Sequence, residues 1–301
     1  MERRSVRALF VTFLYFNRLK QMRISLLFIL WSSSLFSQTI SGVIIDSETK
    51  KPIPYVNVGI LHKNTGTVSD HNGVFKLPST TRNPDDTLKI SCVGYAAFVL
   101  PLHTLNEDLY LENQTFELDA SLEKLKPVEI RPGKIKTDIV GNRIRSGTVV
   151  VGFSTNDLGT EVGTVLKYRH KQQGQITNLN FCLNGTLFDS IFVRVNIYEF
   201  KDGAPGKSIL SEPIYLHSKS KGGNLSIDVS DKNIFITSDC FLSVEWIDFA
   251  GDFPEKEKDY CKIWFNAAFL RADSFLRTTS QSDWVRKDFG VGFWATVKYR
   301  K

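Results

Sequence analysis

The sequence predicts an all-β protein of two sandwiches, the second jelly-roll-like, and three observations carry that reading. Short runs of β-branched and aromatic residues recur at intervals of about ten residues, separated by Gly, Asn, Asp and Pro turns. Phe is frequent (22) and Met rare (2), as in sheets whose cores are built from flat and branched side chains. Residues 38–120 show no convincing helix. The 301 residues are 42% hydrophobic and 23% charged, a globular composition. The formal charge is +6, but six of the 38 basic groups and one of the 32 acidic groups lie in residues 1–37. The remainder is nearly balanced, which removes the composition argument for a nucleic-acid partner.

The first 37 residues read as an extension and a signal peptide. Met22-Arg23 is a basic start, Ile24 to Trp31 an apolar run, and Ser32 to Ser37 a small-residue exit before Gln38. The run is far shorter than the ~20 residues that span a bilayer. Met22 is the expected start codon, residues 1–21 being an odd extension with their own apolar patch. A retained N-terminal anchor is the rival. The expectation is an exported protein, in the periplasm, on the outer-membrane surface or outside the cell. Membrane association is left open, with no transmembrane helix after cleavage.

Residues 38–120 form the first predicted unit. Thr39–Asp46 reads as a strand and Ser47–Pro52 as a polar turn, and Tyr55–Ile60 resumes a strand. Asp70-His71-Asn72-Gly73 is a tight turn into Val74–Leu77, since Asn-Gly supplies positive φ angles. Asp86–Val93, Tyr95–Leu100, Asp108–Leu111 and Phe116–Ala120 complete the strand set. Residues 121–144 read as linker, broken by Pro127 and by Arg131-Pro132-Gly133.

These motifs carry a resemblance. Gly42 to Asp46, Thr49-x-x-Pro52-Ile53-Pro54-Tyr55-Val56-Asn57-Val58, Gly66-Thr67-Val68-Ser69-Asp70-x-Asn72-Gly73-x-Phe75-x-Leu77 and Ile90-Ser91-x-Val93-Gly94-Tyr95 follow in one order and spacing. The unit resembles the carboxypeptidase regulatory-like domain, over about 80 residues. The resemblance implies a transthyretin-like sandwich of about seven strands. It also implies the setting of Bacteroidetes envelope proteins, where such domains often stand at the N-terminus of TonB-dependent receptors. None of His62, His71, His103, His170 and His217 opens an H-x-x-E or H-E-x-x-H pattern, so no zinc enzyme is expected with it.

Residues 145–301 form the second unit. Thr148–Phe153, Gly163–Tyr168, Ile176–Phe181, Ile191–Phe200, Leu225–Val229, Cys240–Trp246, Cys261–Phe265 and Val291–Tyr299 read as strands, eight to ten in all. About 155 residues are too few for a receptor's plug and barrel. A small outer-membrane barrel is the rival to a sandwich here.

Candidate sites are few. Asp70-x-Asn72-Gly73 begins like a calcium loop but lacks the later ligands, and a hairpin turn explains it. Trp246, Trp264, Trp284 and Trp294, with Tyr198, Tyr215 and Tyr260, are either core or a sugar-stacking groove. Trp284, in Ser282-Asp283-Trp284-Val285-Arg286, has polar neighbours and is the candidate for ligand stacking. Of Cys92, Cys182, Cys240 and Cys261, the last two are the candidate disulfide, with unpaired core thiols as the alternative. Asp248, Asp252, Glu255, Glu257 and Asp259 around Pro254 read as a solvated loop. No G-x-S-x-G occurs, and no catalytic, cofactor or metal residue is assigned. The expected function is a non-catalytic envelope module binding a protein or a glycan. The alternatives are an accessory or truncated relative of TonB-dependent receptors and a cryptic hydrolase.

Overall fold

Strand alternation and turn residues produce two stacked pairs of sheets. The computed structural model describes residues 38–79, 83, 85–104, 113–121, 133–145, 149–154, 156–252, 260–269 and 273–301. The signal-peptide reading, the Asp108–Leu111 strand and residues 122–132 of the linker lie outside these residues.

In the first sandwich β1 (Gln38–Asp46) lies between β4 (Val74–Ser79) and β7 (Gln114–Leu118). The facing sheet runs β3 (Gly66–Val68), β2 (Asn57–Ile60), β5 (Thr87–Ser91), β6 (Phe98–Pro101). Among the described residues that makes seven strands in two sheets, against the about seven that the resemblance implies. Alternation places Ile40, Ile44, Val58, Leu88, Ile90 and Phe116 in one core between them. The Asp70 turn is closed by its own carboxylate. Oδ1 accepts the N–H groups of Asn72 (2.8 Å) and Val74 (2.9 Å), and Gly73 takes φ 73°. Two backbone amides occupy the oxygen that a cation would need.

Among the described residues the second sandwich contains fifteen strands rather than eight to ten. One sheet centres on β12 (Ser190–Lys201), β17 (Cys240–Ala250), β10 (Glu161–Leu166) and β19 (Ser274–Arg277), in that order. Its edges are β20 (Val285–Lys287) on one side, with β13 (Ala204–Ser208) and β14 (Ile214–Ser218) end to end on the other. The second sheet centres on β11 (Gly174–Thr186) with β22 (Phe293–Arg300) and β18 (Ile263–Ala268). Around them lie β8 (Ile135–Gly141), β9 (Val149–Phe153), β15 (Gly223–Asp228), β16 (Ile234–Ile236) and β21 (Gly290–Val291). The excess strands are short pieces that share one long partner, as β15 and β16 share β11.

Strand β8 corrects the linker reading. It pairs with β22 from Ile135↔Arg300 to Gly141↔Trp294. As an edge strand it exposes Ile135 and Ile139 and buries Val140, so its pattern reads as polar connection. The two sheets enclose Phe153, Phe181, Phe188, Trp246, Phe265 and Phe293, all fully buried. Burial of each such side chain contributes about 1.5–3 kcal/mol. With the apolar faces turned inward between two separate sheets, the second unit is a sandwich and not the closed barrel of the rival reading. Residues Thr39–Lys301 make one compact unit, so the two sandwiches are packed together.

Candidate functional site: an ion row buried between the sandwiches

The strand alternation that builds the second core also turns the opposite side chains toward the first sandwich. On β12, Ile191, Val193, Val195 and Ile197 enter the core, which leaves Phe192, Arg194, Asn196 and Tyr198 on the outer face. On β17, Leu242, Val244 and Trp246 enter the core and Ser243 and Glu245 face outward. A bulge opposite Phe192 and Val193 inserts Ile247 and so brings Asp248 to the outer face as well.

Register then aligns four charges in one row across four strands. Arg194 stands opposite Glu245, Glu245 opposite Glu161, and Glu161 opposite Arg277. Two like charges directly opposite would be destabilising alone. Here each carboxylate has a guanidinium on its outer flank. Arg194 grips Glu245 bidentately, Nε to Oε2 at 2.9 Å and Nη2 to Oε1 at 2.8 Å. Arg277 donates from Nε to Glu161 Oε2 at 2.8 Å. Asn196 Nδ2 bridges the two acids, at 3.0 Å to Glu161 and 2.9 Å to Glu245. The hydroxyls of Tyr198 and Ser243 also donate to Glu161 Oε1.

All four carboxylate oxygens therefore accept hydrogen bonds, and both acids are 0% exposed. Burial would push Glu245 up, and Arg194 beside it holds it below the usual carboxylate range. Burial acts against the Arg194 and Arg277 charges, and Glu245 and Glu161 respectively more than offset it. The Tyr198 hydroxyl is pushed well up by burial. The net charge of the row is zero, as a site this dry requires.

The row is also the joint between the sandwiches. The remaining Arg194 donors cross to the first sandwich, Nη1 to the Tyr55 carbonyl and Nη2 to Asn57 Oδ1, both at 2.5 Å. Tyr55 has φ 56°, a left-handed conformation uncommon for a bulky residue. Its ring packs on Phe192 (5.0 Å) and Tyr215 (5.8 Å), and its hydroxyl donates to Asp248 at 3.3 Å. Burial and the Asp248 charge push that hydroxyl up to about 12. At the other end, Gln281 Nε2 donates to Ser91 at 2.9 Å and the His62 N–H to the Gln281 carbonyl at 3.0 Å. Gly66 lies so close that a Cβ there would sit 2.7 Å from Thr279 Cβ.

The residues singled out from sequence fall elsewhere or in other roles. Trp284 is half-buried, with the Arg277 guanidinium 4.4 Å from its ring centre and the edges of Tyr198 and Phe241 against it. It closes the end of the ion row rather than standing free in polar surroundings. Cys240 and Cys261 are both free thiols, which corrects the disulfide expectation. Cys240 opens β17, whereas Cys261 lies near Gly152 of the other sheet, next to Lys262, whose carbonyl accepts the Leu187 N–H. Ala250, at the far end of β17, bonds the neighbouring Asp189. The length of β17 separates the two thiols, roughly 33 Å at about 3.3 Å per residue, against the few ångströms a disulfide allows.

Trp246 and Trp294 are buried and Tyr260 is exposed. Tyr198 belongs to the row, and Tyr215 to the joint. Of the carboxylates around Pro254, Asp248 binds Tyr55, Asp252 is exposed, and the others lie outside the described residues. Sequence reading missed the row. Its only signal was a charged residue inside each of two otherwise apolar strands, Val193-Arg194-Val195 and Val244-Glu245-Trp246.

Residues 40–126 match the CarboxypepD_reg-like domain family, which makes the first sandwich a domain of that kind. No curated protein matches the chain. Among solved structures, the chain is similar to the clostridial cysteine protease Cwp84 after propeptide cleavage, with a TM-score of 0.35 and 8% identity over 82% of this chain and 66% of that one. A structure of the cysteine protease and lectin-like domains of Cwp84 from Clostridium difficile gives 0.35 and 8%, over 82% and 58%. The VP2 subviral particle of infectious bursal disease virus gives 0.25 and 8%, over 82% and 53%. The chain thus spans between half and two thirds of the length of these proteins.

Proposed function

We propose that the chain is an exported, non-catalytic protein of the cell envelope, acting as a rigid binding or assembly module for a protein or glycan partner. The observation that carries this reading is the saturation of the ion row. The ionisable side chains that converge in the described part of the fold spend every acceptor on each other and on fastening the CarboxypepD_reg-like domain. A general acid or nucleophile needs an accessible group with a shifted pKa, whereas Glu161 and Glu245 are sealed from solvent. The basic, apolar and small-residue order of residues 22–37 supports export. Expression of the full gene in a Gram-negative host, followed by fractionation and intact-mass measurement, tests the reading. An envelope-located product beginning near Gln38 is expected. Cytoplasmic retention at full mass, or hydrolytic activity of the purified chain abolished by E161Q or E245Q, would refute it.

A further inference from the structure

Far from the ion row, on the outer face of the other sheet, Trp264 has an unusual setting. Ile263 and Phe265 beside it on β18 enter the core, so its indole faces outward, half-buried. Its cross-strand neighbours are both glycines, Gly152 on β9 and Gly185 on β11. The ring extends over both. A Cβ on Gly152 would lie 3.0 Å from Trp264 Cδ1, and one on Gly185 would lie 3.8 Å from Cε3. Neither directly opposite residue therefore sets a side chain over the indole. Among the described residues no other aromatic ring packs against it, in contrast to Trp246, Trp284 and the paired phenylalanines.

Asparagines share this outer face with the ring. Asn184, exposed at a bulge in β11, donates to Asn266 Oδ1 at 2.8 Å. Asn180 and Asn224 continue the same face, linked at 3.4 Å, and Val150 beside Asn266 is 44% exposed. Asn is poorly suited to strand interiors, where Thr or a β-branched residue packs better. Asn180 and Asn266 are buried, which leaves Asn184 and Asn224 as the exposed amides of the face beside a tryptophan flanked by glycines. The asparagines carry no charge, and Lys262, two residues before Trp264 on the same face, is buried, so the exposed part of the face suits a neutral ligand. An aromatic face with paired amide donors and acceptors matches a pyranose ring, whose C–H face packs on indole and whose hydroxyls pair with amides.

We propose that the Trp264 face, with Asn184 beside it, is a binding site for neutral polysaccharide. This deepens the reading of the chain as an envelope binding module and rests on it only for the setting in which the glycan is met. The test is native electrophoresis of the full chain in gels containing a soluble β-glucan, a mannan or a xylan. Wild type is expected to be retarded by at least one of them. W264A should bind about tenfold more weakly, a loss of ~1.4 kcal/mol. W264Y, which keeps a ring, should stay within a few-fold of wild type, and W284A should equal it. N184A removes the bond to Asn266 and should weaken retardation while the chain stays folded at the assay temperature, checked by thermal unfolding, and it serves as the reporter should W264A misfold. Retardation by none of the three polysaccharides, or equal retardation of wild type and the N184A and W264A variants, would overturn the site. A polysaccharide-negative chain that is still exported would remove the glycan site alone. Cytoplasmic retention with binding intact would remove the envelope reading alone.

Discussion

Replacing Arg194 with Met keeps most of the side-chain volume and removes one end of the ion row. Four hydrogen bonds go: two to Glu245, one to the Tyr55 carbonyl and one to Asn57. Glu245 is left 0% exposed with Asn196 as its remaining close donor. Breaking a buried pair in this way costs about 3–5 kcal/mol, because a charge is stranded without water. The double variant R194M/E245M strands no charge, and apolar replacement of a buried ion pair is often close to neutral. The two substitutions should therefore be coupled by ~2 kcal/mol, within the usual range for residues in contact. Urea unfolding of wild type, both single variants and the double variant at pH 7 measures the cycle. A cost below about 1 kcal/mol for R194M, or strict additivity of the two changes, would refute the claim that the row fastens the sandwiches.

Three further outcomes follow from the same geometry. Arg194 holds the Glu245 carboxyl low, so its contribution is complete above the unfolded carboxylate pKa of ~4.3 and is lost as pH falls through the lower folded value. Wild-type stability should hold from pH 7 to 5 and decline in stronger acid, whereas R194M, with its stranded carboxylate, should gain on wild type between pH 7 and 5; parallel pH profiles would contradict this. Ellman titration of the native chain should find Cys261 reacting first, because Cys240 is buried with its thiol pushed up to about 12; four thiols should react after denaturation without reductant, and two would mean that a bridge exists. Gly66→Val should cost about 1–3 kcal/mol by forcing β3 away from Thr279, as overpacking does elsewhere, and a neutral result on thermal unfolding would mean that the joint is looser than described.

The first sandwich was legible because its information is local. Pro52, Pro54, the Asp70–Gly73 turn and Gly94 each fix a reversal within a few residues, and the strands between them alternate regularly. The ion row was illegible because its members come from four separate strands, at positions 161, 194, 245 and 277, and meet only through sheet register. A charge alternating with valines reads as a solvated face until a second sandwich covers it. Strand β8 reads as linker because Pro132-Gly133 breaks the chain just before it and an edge strand exposes about half its residues. The tryptophans were sorted by their sequence neighbours, which misleads in a strand. Trp264 lies between two core residues yet faces outward, whereas Trp284 has polar neighbours yet packs under Arg277.

The most direct measurement is separation of the two sandwiches after the chain between them is cut. A specific protease site placed within residues 122–132 allows cleavage, and size-exclusion chromatography at micromolar concentration reads the result. Wild-type halves should co-elute as one species at pH 7, and R194M halves should come apart. Wild-type halves that elute separately as two folded fragments would contradict the account of a rigid joint closed by Arg194, Glu245, Glu161 and Arg277.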